Sequence, residues 1–173
     1  CIHLGVDTAI FNSELQCKDE IFTIVFVGDL RKRKGIVDLI DALTVVNKNK
    51  IVAKLLIIGR GELEQFIVSL KLKFSWIEVS GWVSHKDVAK YLARASAFGF
   101  MIKNESDHQE HDAHALMEAM SFGIPSITTK SGVITDLAIK SNILVEDGNV
   151  CDLVLGLNSL VYNSKIYNKL SLH

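Results

Sequence analysis

Apolar residues follow two alternating patterns along the chain, continuous runs and runs in which they recur every three or four positions. Continuous runs are typical of strands buried on both faces, and periodic runs are typical of helices with one buried face. The predicted strands span residues 21–27, 51–58, 76–79, 97–102, 126–129 and 143–145. The predicted helices span residues 36–46, 62–72, 113–121, 133–139, 150–162 and 164–173, and a further helix begins after Ser84 as its N-cap.

The alternation of buried strands with amphipathic helices predicts an α/β fold. We expect a doubly wound, mainly parallel, six-stranded Rossmann-like sheet with helices on both faces. Residues 1–20 show no clear period and are interpreted as a lead-in segment to a single domain of residues 1–173. Ligands of such sheets bind beyond the C-terminal ends of the strands. The loops expected at that edge begin at Gly28, Gly59, Gly81, Ile102 and Thr129.

Composition narrows the class of protein. Hydrophobic residues at 49%, charged residues at 23% and a net charge of -1 describe a globular protein without the basic field that a nucleic-acid partner requires. No apolar run reaches the roughly 18 residues of a membrane span, although peripheral contact with a membrane stays compatible with the sequence. Three distant cysteines outside any C-x-x-C pattern argue against a disulfide framework or structural zinc and favour a cytoplasmic setting. The first residue is Cys1 rather than methionine, which suggests a fragment or a processed product.

Candidate chemistry concentrates in residues 105–129, a polar loop followed by a predicted helix and strand. The first N–H groups of a helix are unpaired and lie at its positive dipole end, which makes an anion site. Glu110 precedes this helix and Glu118 lies inside it, so the two carboxylates are placed to accept hydrogen bonds from the hydroxyls of a phosphate-bearing ligand. Two glutamates eight residues apart also arise by chance, and the spacing alone is a weak signal.

Several segments, taken in order, resemble the C-terminal, donor-binding domain of the retaining glycosyltransferases of family four. These enzymes have the GT-B architecture, in which two Rossmann-like domains face each other across a cleft. The similarity runs from about residue 5 to 165, and its most specific part is E-x7-E, Glu110 to Glu118, followed by A-M-x-x-G-x-P. The other matching segments are GVDTAIF, IVFVGDLRKRKGIVDLIDAL, LLIIGRGEL, VSGWVSHKDVAKYLARAS, EAMSFGIPSITT and SGVITDL.

The resemblance implies an enzyme that moves a sugar from a nucleotide-diphosphate donor to an acceptor with retained configuration, in glycan or cell-surface polysaccharide synthesis. The acceptor, a glycan or a lipid-linked sugar, would bind an N-terminal domain that is absent from this chain, so the isolated chain is expected to be inactive. The resemblance implies no cofactor, and it is compatible with a peripheral position at the inner face of the membrane.

Residue roles follow from the same resemblance. Glu110 would be the catalytic residue and contact hydroxyls of the donor sugar, while Glu118 would bind the nucleotide ribose. Lys34 matches the family lysine on the diphosphate, with Arg31 and Arg33 as further diphosphate candidates. The remaining donor-binding positions, at the helix start and in the base pocket, are Ala113, His114, Ala115, Gly81, Trp82 and Val83.

Departures from the family pattern keep two alternatives open. Asp29 stands where the family usually has arginine, and Glu110 to Ala113 read E-H-D-A where the family has Glu-Gly-Phe-Gly. These changes would suit a non-catalytic nucleotide-binding or interaction module on the same fold. A metal-dependent enzyme is the third hypothesis, but the spacing of its donors matches no established zinc signature, and we expect no metal. Those donors are His108, His111, Asp112, His114 and Glu118.

Overall fold

The computed structural model describes residues 5–103, 114–130 and 142–171, and these contain one six-stranded sheet. The strands lie in the order β3-β2-β1-β4-β5-β6, and every neighbouring pair is parallel. The predicted doubly wound α/β fold is therefore confirmed. The strands are β1 (Phe22–Val27), β2 (Ala53–Ile58), β3 (Ile77–Gly81), β4 (Ala97–Phe100), β5 (Ser126–Thr129) and β6 (Asn142–Val145).

Helices cover both faces of this sheet. The six described α-helices are α1 (Ile36–Val46), α2 (Glu64–Lys73), α3 (His85–Leu92), α4 (His114–Ser121), α5 (Val150–Tyr162) and α6 (Ser164–Ser171). Helices α1, α2, α5 and α6 pack on one face, and α3 and α4 pack on the other. Each face has its own hydrophobic core, the first under α1, α2, α5 and α6 and the second under α3 and α4. Successive side chains of β1 point to opposite cores: Ile24 and Phe26 lie in the first, and Val25 lies in the second. Both faces of the central strands are buried, as their continuous apolar runs predict.

The ends of the elements differ from the sequence prediction where side chains compete for the backbone. The second strand begins at Ala53 rather than at residue 51, because the amide of Asn47 binds the chain just before it. Asn47 Oδ1 accepts hydrogen bonds from the backbone N–H groups of Val52 and Ala53, at 2.9 and 3.2 Å. The Ser84 N-cap is confirmed, and its hydroxyl accepts from Asp87 N at 3.4 Å. The helix predicted at residues 133–139 lies outside the described residues.

The lead-in segment is an integral part of the second core. Phe11 is only 1% exposed and packs edge-to-face against Phe122, with ring centroids 6.3 Å apart. Further along, Asp19 forms an ion pair with Arg94 at 3.0 Å, and this hydrogen-bonded guanidinium lowers the pKa of the Asp19 carboxyl. The segment therefore holds a fixed position against α3 and the end of α4.

Backbone contacts join the loops at the C-terminal edge of the sheet. Leu30 N donates to Arg60 O at 3.0 Å, which ties the loop after β1 to the loop after β2. Gly35 has left-handed backbone angles (φ 62°), and a Cβ atom there would lie 2.0 Å from the carbonyl oxygen of Met101, just after β4. The loops after β1 and β2 and the chain after β4 therefore meet at this edge as predicted, and the contact leaves no room for a side chain at Gly35.

We predict that Gly35→Ala lowers the free energy of unfolding by about 3 kcal/mol, because left-handed strain and overpacking against Met101 add together. The matched control is Gly148→Ala. Gly148 has a similar φ of 69°, but a Cβ atom there would meet no other atom within 4 Å, so only the strain of about 1 kcal/mol is expected. Urea denaturation of both variants measures the difference, and equal losses would contradict the close approach to Met101.

Candidate functional site

A cavity of about 390 Å³ opens at the C-terminal ends of β1, β2 and β3. This is the edge at which doubly wound sheets bind their ligands. The loop after each of the three strands contributes to the wall. Among the lining residues are Gly28, Asp29, Gly59, Arg60, Trp82, Val83 and His85.

An exposed indole and a guanidinium form one rim of the cavity. Trp82 is 66% exposed, and the guanidinium carbon of Arg60 lies 5.7 Å from its ring centroid. The chain reaches Trp82 from Gly81, whose carbonyl accepts a hydrogen bond from Gly59 N at 2.9 Å and so fixes the end of β3 beside β2. A flat ring with a cation over its face is a surface on which a planar group can stack. The other tryptophan, Trp76, is 5% exposed and belongs to the core.

Glu118 is a buried acid on the second turn of α4. Its side chain is 8% exposed, and its Oε1 lies 2.6 Å from Nε2 of His85, whose side chain is 65% exposed. Helices α3 and α4 pack on the same face of the sheet, which brings together two residues 33 positions apart. A carboxylate removed from water requires a hydrogen-bond donor, and the imidazole supplies one.

His85 is the functional candidate that sequence reasoning missed. Its ring packs against Phe11, with centroids 5.0 Å apart and planes tilted by 48°, and it also lines the cavity. The histidines of the loop before α4 are the more obvious candidates, because they are close to the glutamates in sequence. The sequence signal that could have indicated His85 is its place at the start of a predicted helix after a strand, because that position lies at the ligand-binding edge of the sheet.

The basic turn after β1 lies beside the chain that leaves β4. This turn is a short 3₁₀ helix, Lys32–Lys34, and the carbonyl of Arg33 accepts a hydrogen bond from Lys103 N at 2.9 Å. Lys34 is half-buried and is absent from the lining of the 390 Å³ cavity. The positive turn therefore borders the point where the strand order reverses, between β1 and β4.

Arg31 is directed toward Asp29. Its Nε lies 3.9 Å from Asp29 Oδ2, and both side chains are more than half exposed. A pair at this distance and exposure contributes little energy, so the guanidinium remains available to a stronger anion. Asp29 itself lines the cavity and adds a negative charge to its wall.

The remaining predicted positions fall at or before the start of α4. His114 and Ala115 form its first turn and are partly buried. Glu110, Ala113, His108 and His111 lie outside the described residues. Within the described part of the chain, no group of three histidine, cysteine or acidic side chains is arranged to hold a metal ion. The helices described here include none with the length and apolarity needed to cross a membrane.

Several solved glycosyltransferase structures share this fold. The C-terminal domain of LpcC, a glycosyl transferase group 1 family protein from Francisella tularensis, superposes with a TM-score of 0.78 at 22% identity, over 97% of this chain and 93% of that domain. The catalytic domain of cholesterol-alpha-glucosyltransferase from Helicobacter pylori gives 0.74 at 25% identity, over 87% and 92%. HepE from Anabaena, solved with UDP and glucose, gives 0.74 at 18% identity, over 94% of this chain and 48% of HepE.

These matches agree with the resemblance found in the sequence. The chain spans about half the length of HepE and nearly all of the LpcC domain. No curated protein matches the chain by sequence. The sequence model of the family described as "Glycosyl transferases group 1" matches residues 7–171, almost the whole chain. The chain therefore belongs to the group 1 glycosyltransferases.

Proposed function

We propose that this chain is the nucleotide-sugar-binding half of a retaining glycosyltransferase. The observation that carries the proposal is the buried Glu118 carboxylate, which is hydrogen-bonded to a residue of the strand-end cavity. A buried acid is costly unless it is paired, and its position at the ligand-binding edge suits recognition of ribose hydroxyls. Family membership supports the same assignment.

The parts of a nucleotide-diphosphate sugar have corresponding groups along this edge. The base would stack in the cavity beside Trp82 and Val83, both of which line it, and Gly81 would set the course of the chain before them. The diphosphate would lie between the basic turn that carries Lys34 and the N-terminal turn of α4, where the helix dipole favours negative charge. The donor sugar would then extend toward Glu110, which the family resemblance places at its hydroxyls.

The chemistry of such a site consists of positioning and charge stabilisation. In glycosyl transfer from a nucleotide diphosphate, negative charge develops on the leaving diphosphate. A lysine ammonium on its flexible side chain can stay close to the leaving diphosphate oxygen as negative charge develops there. The helix amides are fixed dipoles that stabilise this charge without reorganising. The acceptor, a glycan or a lipid-linked sugar, would approach from an N-terminal domain. We therefore propose that the isolated chain binds the donor weakly and does not turn it over, and that the whole enzyme works at the inner face of the membrane.

A non-catalytic nucleotide-binding module is the second candidate, and Asp29 is the observation that favours it. Its carboxylate lines the cavity, at the position where the family resemblance calls for an arginine. A like charge beside a diphosphate weakens binding, and the partial neutralisation by Arg31 at 3.9 Å compensates little of it.

We predict that the chain binds one of uridine, guanosine or adenosine diphosphate (UDP, GDP, ADP), and that Glu118→Gln weakens this binding about tenfold or more. The glutamine keeps the shape of the side chain but makes weaker hydrogen bonds to hydroxyls. Isothermal titration calorimetry measures the dissociation constants. Glu64→Gln, an exposed acid of α2, is the matched control and is expected to bind as the wild type. Absence of binding by all three nucleotides would contradict the donor-binding assignment.

We predict that Asp29→Arg tightens binding of the same nucleoside diphosphate about tenfold, because it removes a like charge and adds a bidentate donor for phosphate. Asp29→Asn separates the two contributions and is expected to give a smaller gain. The corresponding nucleoside without phosphates should bind all three proteins equally. If Asp29→Arg leaves the diphosphate affinity unchanged, Asp29 does not face the phosphates and the arrangement proposed for the basic turn is wrong.

A further inference from the structure

One hydrogen bond links the two helices that flank the candidate site. His85 is the first residue of α3, and Glu118 belongs to α4. Nε2 of His85 and Oε1 of Glu118 lie 2.6 Å apart, which is a direct hydrogen-bonding contact. A carboxylate oxygen accepts from an imidazole N–H, so the tautomer with its hydrogen on Nε2 makes this bond.

The imidazole is oriented although most of its surface is exposed. Phe11 packs against one side of the ring at 5.0 Å, and Phe11 is itself fixed against Phe122 in the second core. The Glu118 carboxylate holds the ring at Nε2. A ring held by an aromatic contact and a hydrogen bond has little rotational freedom, so it can transmit a fixed position to its partner.

The same ring borders the cavity. His85 lines it together with Gly28, Gly59 and Trp82, whereas Glu118 is not among the lining residues. The imidazole thus contacts the cavity on one side and the buried acid on the other. Any ligand hydroxyl that binds Glu118 from this cavity must do so next to His85.

We propose that His85 is a positioning residue for the ribose. Its imidazole is hydrogen-bonded to Oε1 of Glu118, and this bond orients the carboxylate so that its other oxygen can accept from a ribose hydroxyl. A free glutamate side chain loses rotamer freedom when it binds a ligand, and a hydrogen bond that already restricts the side chain reduces this cost. The inference rests on the proposed function, because it assigns a role to His85 in the same nucleotide site.

The experiment compares nucleotide affinity in four proteins: wild type, His85→Ala, His85→Gln and Lys86→Ala. The probe is whichever of UDP, GDP and ADP binds the wild type most tightly, together with its 2′,3′-dideoxy counterpart. Lys86 is the exposed neighbour of His85 on α3 and serves as the matched control. Thermal unfolding of each variant establishes that it is folded before titration.

We expect His85→Ala to weaken binding of the ribonucleotide about fivefold, because the released Glu118 side chain then loses its rotamer freedom when it binds the ribose. The dideoxynucleotide has no hydroxyl for Glu118 to bind, so its affinity should be the same in wild type and His85→Ala. His85→Gln restores part of the ribonucleotide affinity, since its amide can donate to Glu118, and Lys86→Ala binds as the wild type.

Two results overturn the inference, and they differ from each other. If the wild type binds a ribonucleotide and His85→Ala binds it equally well, or loses equal affinity for the dideoxynucleotide, His85 does not act through Glu118 and the proposed function stands without it. If none of UDP, GDP and ADP binds the wild type, the proposed function fails and the role of His85 fails with it.

Discussion

The parallel direction of all six strands is the constraint on which the rest of the structure depends. Parallel neighbours cannot be joined by tight turns, so each connection must cross a face of the sheet, and amphipathic helices are the usual solution. The C-terminal ends of the strands then lie at one edge. Every loop that follows a strand is brought to that edge, whatever its distance along the chain.

The reversal of strand order between β1 and β4 gives this edge its shape. On either side of such a reversal, the connections of an open α/β sheet run to opposite halves of the sheet. The basic turn after β1 borders the point of reversal and is tied to the chain after β4 through Arg33 and Lys103. The close approach of Gly35 to Met101 keeps the two chains in contact. Positive side chains and a buried acid therefore gather at one edge of a protein whose net charge is close to zero.

Most of the fold could be predicted from the sequence because its signals are local. Strands buried on both faces appear as unbroken apolar runs, and α1 and α5 begin and end as their periodicity predicts. The start of β2 could not be predicted, since it depends on the side chain of Asn47 binding the backbone five and six residues later. Phe11 was also missed as a core residue, because a single aromatic in a segment without period carries no information about its partners.

In the candidate site, too, the residues found from the sequence are those with a local signal, and the residues missed are those that depend on distant contacts. Glu118 was predicted as a site residue because a motif of adjacent residues surrounds it. His85 was not, because its importance lies in a contact across 33 residues that requires α3 and α4 on the same face. The pairing of Arg31 with Asp29 likewise depends on side-chain direction in a loop, which residue type does not determine.

The central claim is that the base of a nucleoside diphosphate binds beside Trp82 in the cavity at the ends of β1, β2 and β3. The chain contains two tryptophans, and only one of them lines this cavity. Nuclear magnetic resonance of the ¹⁵N-labelled protein can follow both indole N–H signals during titration with UDP, GDP and ADP. We expect a saturable shift of the Trp82 signal with at least one nucleotide, while the Trp76 signal stays in place. A Trp82 signal that does not move with any of the three would contradict the claim.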